Sequence, residues 1–427
     1  MIQIEVVDAG ESLWSIGSRY GVNPEVLARA NGLAVTDRLV VGQALVIPLT
    51  NRRHTVQAGE TLWRIARRYG VSVQDLAQAN NLSNPESISP GLVLTIPERM
   101  KMTIESNGYL QPTNTERDRT MVNQVAANLT YFSMFHYVVL RSGDLVNLQD
   151  EIARTAVNQT NSVSMMVISN FEEGNFSPEV ARAILTDSAV RERLITNVLT
   201  IMNNKGFRAL NIDFENLNPA DRELYNSFLR EITARVRAAG YLISTALAPK
   251  ISEAQVGAWY EAHDYATHGQ IVDFVIIMTY EWGWSGGPPM AVAPIPQVRQ
   301  VLDFAVSVIP NNKIMMGAPL YGYDWTLPYV RGGKFARSLS PQAAVVQARN
   351  VGANIQFDPV SLAPFYKYYD NEGKQHVVWF EDARSMQAKF DLIKEYRLRG
   401  ISYWVLGNPF PQNWSLLYDN FIIRKLR

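Results

Sequence analysis

The 427 residues of the chain include 40 basic and 40 acidic side chains, and 47% of the residues are hydrophobic. This length predicts two or three domains, and the zero net charge argues against nucleic acid as the main partner. The absence of cysteine excludes disulfides, thiolate metal sites and a cysteine nucleophile. We expect neither a membrane span nor a secretory signal, since no long apolar run and no basic segment before one is visible.

The first hundred residues contain two copies of one small module. A shift of 49 positions aligns residues 5–48 with 54–97, and 20 of the 44 aligned positions are identical. In each copy, apolar residues at i, i+3, i+4 and i+7 predict a helix, which begins after Ser12 or Thr61 and ends at Gly21 or Gly70. A second short helix and flanking apolar runs complete a strand–helix–helix–strand unit, at 1–49 and at 50–98.

Both copies resemble LysM domains in the pattern V-x-A-G-E-[ST]-L-W-x-I…Y-G-V…L-A-x-A-N-x-L. The resemblance implies binding of glycans that contain N-acetylglucosamine, such as peptidoglycan or chitin. It places the sugar contacts at Gly10 and Ser12 in the first copy and at Gly59 and Thr61 in the second. Turn formation and helix capping explain the same four residues equally well, and core packing is the better explanation for the neighbouring leucines. Two weak modules in tandem would gain affinity through effective concentration.

The remaining residues, 99–427, predict a (β/α)₈ barrel. Eight β-rich runs, several of them apolar almost throughout, alternate with segments of helical spacing, as expected for parallel strands buried on both faces. About 78 residues separate the last two runs, which predicts a small α+β insertion at about 323–382 beside the cleft. The runs cover 102–109, 129–136, 164–171, 207–215, 241–249, 272–280, 313–321 and 399–406.

Three polar residues interrupt the fourth run. Asn211, Asp213 and Glu215 alternate along the predicted strand, so their side chains leave the same face. They lie toward its carboxyl end, where barrel enzymes place their catalytic groups. Repulsion between two neighbouring carboxylates raises the pKa of one of them, so this group can keep a proton and act as a general acid. A buried acidic pair held by a basic residue remains the alternative at this point.

The fourth run resembles the D-x-x-D-x-D-x-E signature of glycoside hydrolase family 18. Arg208 and Asn211 replace the first two acids of that signature. Asp213 and Glu215 match its last two acids. The segment MTYE at 278–281 resembles the M-x-Y-D of the family, with Glu281 in place of the aspartate. The segments GAPLYG at 317–322 and GISYWVLG at 400–407 resemble its seventh and eighth strands.

The resemblance implies a role for each matching residue. Glu215 would be the acid/base, and Asp213 and Tyr280 would hold the acetamido group of the substrate, with Asn211 counted in the same catalytic group. Trp404 would form the floor of the central sugar site. Glu281 and Tyr321 would be further substrate contacts. The resemblance implies no metal or other cofactor, and we interpret the five histidines as ordinary structural residues. Four loop aromatics could stack on sugars or simply pack, namely Trp282, Trp284, Tyr323 and Trp325.

Tandem LysM modules ahead of such a barrel resemble the spore-cortex enzymes of endospore-forming bacteria. The resemblance implies a β-N-acetylglucosaminidase that cleaves β-1,4 bonds in cortex peptidoglycan with substrate assistance and is deposited in the spore without a signal peptide. A chitinase tethered by LysM modules and a catalytically inactive glycan-binding lectin are the alternatives. The sequence predicts neither a nucleic-acid nor a membrane partner.

Overall fold

The computed structural model describes residues 1–49, 53–84, 88–98 and 100–426. The first module consists of β1 (Ile2–Val6), α1 (Leu13–Tyr20), α2 (Pro24–Ala30) and β2 (Ala44–Pro48). The second repeats this order with β3 (Arg53–Thr55), α3 (Leu62–Tyr69), α4 (Val73–Ala79) and β4 (Val93–Thr95). Each has one antiparallel two-stranded sheet, so the predicted modules are confirmed. The predicted domain bounds at 49/50 and 98/99 border residues outside the described part and remain predictions.

Eight parallel strands form a closed barrel, as predicted. Each strand pairs with the next in chain order, and the last pairs with the first. The bounds lie within a few residues of the predicted runs, because strands covered on both faces are apolar almost throughout. The strands are β5 (Met102–Leu110), β6 (Tyr131–Val138), β7 (Val163–Ser169), β10 (Ala209–Asp213), β11 (Leu242–Leu247), β12 (Phe274–Ile277), β13 (Ile314–Pro319) and β19 (Gly400–Trp404). A short hairpin, β8 (Phe171–Glu172) and β9 (Asn175–Phe176), follows β7.

Helices surround the barrel and cover its apolar outer surface. The longest are α8 (Ser188–Lys205) and α9 (Arg222–Ala238), and the described helices contain no segment long and apolar enough to cross a bilayer. A final strand, β20 (Phe421–Ile423), extends the sheet beside β5. The helices are α5 (Glu116–Val125), α6 (Glu151–Asn158), α7 (Pro178–Thr186), α8 (Ser188–Lys205), α9 (Arg222–Ala238), α10 (Tyr265–Ile271), α11 (Ile295–Val308), α13 (Ala383–Glu395) and α14 (Pro411–Asn420).

The insertion between the seventh and eighth barrel strands is a small α+β unit, as predicted. It contains one helix, α12 (Pro341–Val351), and a five-stranded antiparallel sheet. Its sheet strands are β14 (Gly322–Thr326), β15 (Arg337–Leu339), β16 (Gln356–Asp358), β17 (Ala363–Tyr369) and β18 (Gln375–Trp379). Because β14 begins three residues after β13 ends, the insertion rises directly from the rim of the barrel.

The first LysM-like module is packed against the barrel and the insertion. In β2, Leu45 and Ile47 face the module's own core, whereas Ala44 and Val46 join the core of the barrel. The loop before β2 contacts the insertion, where the Ile355 N–H donates to the Val41 carbonyl at 2.9 Å. A salt bridge of 2.9 Å joins Arg349 to Asp37. This module and the barrel therefore share one continuous apolar core.

The second module has a different outer sheet face. The positions that correspond to Ala44 and Val46 are Val93 and Thr95, and both are exposed. The strand opposite carries exposed Arg53 and Thr55. All four side chains are solvated and three of them are polar, so this face does not bury apolar area against the barrel as Ala44 and Val46 do. The two copies therefore differ in their relation to the barrel although their folds match.

Candidate active site

A cleft of about 750 Å³ opens at the carboxyl ends of the barrel strands. Six of the sequence-predicted residues line it together, although they come from four different strands or the loops that follow them. They are Asp213, Glu215, Tyr280, Glu281, Tyr321 and Trp404. Convergence of polar groups from separate strands at this end of a barrel is the usual arrangement of a catalytic site in this fold.

The two acids at the carboxyl end of β10 lie close enough to influence each other's ionisation. Burial raises the pKa of Asp213, and burial together with the Asp213 charge raises the pKa of Glu215 well above its usual range. No basic side chain among the described residues forms a salt bridge with either carboxylate, so the alternative of an acid pair held by a cation does not describe this site. The pair therefore retains a proton under conditions in which ordinary carboxylates are ionised.

Asp213 has one unsatisfied oxygen. Its Oδ1 is buried and receives no hydrogen bond from an amide, hydroxyl or basic group of the described residues. A buried acceptor without a donor is costly. An N–H supplied by a bound molecule would satisfy this oxygen, and it would do so next to Glu215.

Asn211 lies one layer deeper in the barrel. Its Oδ1 accepts a hydrogen bond from the Tyr109 hydroxyl at 2.9 Å, and its Nδ2 donates to the Ser244 hydroxyl at 2.9 Å. In the described chain no hydrogen bond joins the side chains of Asn211 and Asp213. Asn211 thus supports Tyr109, whose ring lines the cleft, and its predicted place in the catalytic group remains a prediction.

Glu281 and two tyrosines form one wall of the cleft. The Glu281 carboxylate accepts hydrogen bonds from the hydroxyls of Tyr321 and of Tyr323, the latter at 2.9 Å. Glu281 adopts a left-handed backbone with φ of 70°, which is unusual outside glycine. The two hydroxyls fix this carboxylate in one orientation at the edge of the site.

Aromatic side chains form the floor and rims of the cleft. Trp404 lies edge-on to Tyr109 and Phe135, with ring centroids 5.4 and 4.7 Å away. Of the four loop aromatics in question, Trp284 and Tyr323 line the cleft. Trp282 packs on the barrel core. Trp325 is buried and donates to the Gly287 carbonyl.

The opposite rim of the cleft was not predicted from the sequence. Phe171, Phe176 and Trp259 also line the cleft, and Phe176 lies edge-on to both of the others at centroid distances of 5.3 and 6.4 Å. Phe171 lies two residues after the end of the third barrel strand, which is a usable signal because strand ends meet at the site. Trp259 lies in a long loop, and nothing in its sequence surroundings indicates its position.

The glycan contacts predicted in the modules are separate from this cleft. Ser12 and Thr61 cap helices α1 and α3 by accepting hydrogen bonds from the N–H groups of Ser15 and Arg64. Gly10 and Gly59 occupy left-handed turns with φ of 84° and 83°. The neighbouring leucines, Leu13 and Leu62, are buried in the module cores. Glycan binding at the four predicted residues remains a prediction.

Comparison with known proteins agrees with this architecture. Residues 106–408 match the family "Glycosyl hydrolases family 18", and residues 6–48 and 54–97 each match the LysM domain. The chain is 53% identical to the cortical fragment-lytic enzyme of Bacillus subtilis (strain 168) over 427 residues, which cover 99% of both chains.

Two further proteins show how far the similarity extends. The crystal structure of the Bacillus cereus spore cortex-lytic enzyme SleL superposes with a TM-score of 0.90 at 43% identity and covers 99% of both chains. Human di-N-acetylchitobiase is 26% identical over 260 residues, which cover 53% of this chain and 64% of its own. The chain therefore belongs to glycosyl hydrolase family 18, as a glycosidase that carries two LysM domains ahead of its catalytic barrel.

Proposed function

We propose that this glycosidase is a β-N-acetylglucosaminidase that cleaves β-1,4 bonds in spore cortex peptidoglycan, and that its LysM domains hold it on the wall glycan in the spore. The similarity to a cortical fragment-lytic enzyme over almost the full length supports the substrate and the location. The observation that carries the chemistry is the placement of Glu215 in the cleft beside buried Asp213, whose Oδ1 has no hydrogen-bond donor among the described residues.

In the proposed mechanism the substrate supplies the nucleophile. Glu215 donates its proton to the glycosidic oxygen while the C1–O bond breaks. The acetamido carbonyl oxygen of the same sugar attacks C1 and forms a cyclic oxazolinium ion. Asp213 accepts a hydrogen bond from the acetamido N–H, and the Tyr280 hydroxyl donates a hydrogen bond to the acetamido carbonyl oxygen. Water then attacks C1 and passes a proton to the Glu215 carboxylate while the C1–O bond of the oxazolinium ring breaks. This step restores the acetamido group and the acid, and it retains the configuration at C1.

The arrangement of carboxylates favours this mechanism over a double displacement with a carboxylate nucleophile. Enzymes of the latter type hold their two carboxyl groups about 5–5.5 Å apart on either side of the scissile bond. Asp213 and Glu215 instead come from the same strand end and lie so close that the charge of Asp213 raises the pKa of Glu215. Glu281, the third carboxylate in the cleft, is held by two tyrosine hydroxyls at the edge of the site.

Digestion of defined glycans tests the proposed substrate and bond. We expect cortex fragments to be cleaved after N-acetylglucosamine, so that mass spectrometry shows new N-acetylglucosamine reducing ends, and chitin oligomers to be cleaved more slowly. Preferred cleavage of chitin oligomers would instead indicate a chitinase, and binding of both without products would indicate a lectin. An analogue whose reacting sugar lacks the acetamido group should resist hydrolysis, and equal turnover of that analogue would refute substrate assistance.

The pH profile tests the coupling of the two acids. The charge of Asp213 raises the pKa of Glu215, so the neutral Asp213→Asn variant should lose the Glu215 proton at a lower pH. We therefore expect the alkaline limb of the kcat profile to move to lower pH, together with a fall in kcat of about 10²–10³-fold from the weakened hold on the acetamido group. Tyr280→Phe is the matched control, since it should lower kcat without moving that limb. An unmoved limb in Asp213→Asn would contradict the coupling.

A further inference from the structure

The main chain at Glu215 continues past the end of the barrel ladder. In β10, Asp213 pairs with Ser169 of β7, and Ile212 pairs with Thr245 of β11. The regular strand ends at Asp213, so the N–H and C=O groups of Glu215 find no partner in either neighbouring strand. Buried main-chain groups need partners, and here side chains supply them.

Asn170 replaces the missing strand pairing on one side. The Glu215 N–H donates to the Oδ1 of Asn170 at 2.9 Å, and the Nδ2 of Asn170 donates to the Glu215 carbonyl at 2.8 Å. The Asn170 side chain is fully buried, and its Nδ2 also donates to the Ser177 carbonyl at 2.9 Å. One amide thus holds both polar groups of the Glu215 backbone and ties them to the loop after β7.

His263 holds the adjacent peptide from the other side. Its Nδ1 accepts the Ala248 N–H at 3.0 Å, so the proton of the neutral ring lies on Nε2, which donates to the Phe214 carbonyl at 2.9 Å. Burial lowers the pKa of His263 to about 4, which keeps the ring neutral and both bonds intact near neutral pH. The ring therefore joins the end of β11 to the peptide just before Glu215.

We propose that Asn170 and His263 are positioning residues, which fix the Phe214–Glu215 main chain so that the Glu215 carboxyl faces Asp213 and the cleft. Neither side chain needs to touch the substrate. This inference rests on the proposed role of Glu215 as the acid. Displacement of a reacting group by about 1 Å can cost 10²-fold in rate. Loss of the hydrogen bonds made by either Asn170 or His263 should therefore lower kcat.

Alanine at position 170 tests the positioning role of Asn170. We expect Asn170→Ala to lower kcat by about 10²-fold and to leave KM within about threefold, because the sugar contacts are kept. The control is Asn226→Ala, which removes an equally buried amide that bonds to Glu223 and Asp264 and does not touch the Glu215 segment. Assays run well below the melting temperature of each variant separate catalysis from folding. If both variants lose kcat equally, Asn170 has only a structural role.

A pair of substitutions at position 263 tests the positioning role of His263 and remains informative if Asn170→Ala fails to fold. Glutamine places an amide N–H near the former Nε2 and can still donate to Phe214, whereas asparagine keeps only the acceptor for Ala248. We expect His263→Gln to retain at least tenfold more kcat than His263→Asn. Equal kcat in the two variants would overturn the proposal for His263. Activity that survives in Glu215→Gln would instead overturn the proposed function itself, so the two failures are distinguishable.

Discussion

Replacement of Glu215 by glutamine should abolish turnover while the protein still binds its glycan. Glutamine keeps the shape of the side chain and a hydrogen-bonding group beside Asp213 but carries no transferable proton. General acid–base catalysis typically contributes 10²–10⁴-fold, and Glu215 serves in both steps of the proposed mechanism. We therefore expect kcat to fall by at least about 10³-fold, measured as the release of reducing ends from cortex fragments.

Binding and folding controls define what this loss means. Quenching of tryptophan fluorescence by soluble glycan reports on the cleft, where Trp404 and Trp284 lie, and should give the same Kd for Glu215→Gln as for the parent. Glu192→Gln removes another carboxylate, which pairs with Arg235 on the outside of the barrel, and should leave kcat unchanged. Undiminished turnover by Glu215→Gln would remove this residue from the acid role.

The main features of the fold were predictable because they depend on local patterns. Strands covered on both faces are nearly all apolar, and the repeat places the helix caps at the same positions in both modules. The polar trio on the fourth strand was visible as an exception to the apolar pattern. These signals lie within a few residues of one another in the sequence.

The remaining features depend on distant residues that meet only in the fold. Asn170 and His263 lie 45 and 48 residues from Glu215, and only the parallel arrangement of strand ends brings them to it. The hydrogen bond between Asn211 and the Tyr109 hydroxyl likewise joins residues 102 positions apart. The sequence carries only a weak signal for the attachment of the first LysM domain. In β2 the residues Ala44 to Ile47 are all apolar, whereas β4 has the exposed Thr95 at the position of Val46.

This attachment changes what removal of the LysM domains would test. If the LysM domains served only as a tether, deletion of residues 1–97 would weaken retention on insoluble wall and spare small soluble substrates. However, Ala44 and Val46 are part of the barrel's apolar core, and the Arg384 side chain on α13 donates to the Gly42 carbonyl. Deletion would expose this surface, so we expect it to lower the stability of the barrel and the turnover of soluble substrates as well.

Two corresponding glycines separate attachment from the module fold. Gly42 and Gly91 hold the same place in the two copies and have left-handed φ of 84° and 89°. A Cβ on Gly42 would lie 1.8 Å from the Ile355 carbonyl oxygen, whereas a Cβ on Gly91 meets nothing within 4 Å. Alanine at either position carries the cost of the left-handed backbone, about 1–2 kcal/mol, but only Gly42→Ala also disturbs the contact with the insertion.

We expect Gly42→Ala to destabilise the barrel by about 1–3 kcal/mol, as overpacking of a closed contact does, and Gly91→Ala to leave the barrel transition in place. Thermal unfolding followed by the near-ultraviolet signal of the barrel aromatics measures this difference. Turnover of soluble fragments at elevated temperature should fall first in Gly42→Ala, because the insertion that contacts Gly42 also supplies Tyr323 to the cleft. Equal barrel transitions in the two variants would show that the first LysM domain, although packed against the barrel, does not stabilise it.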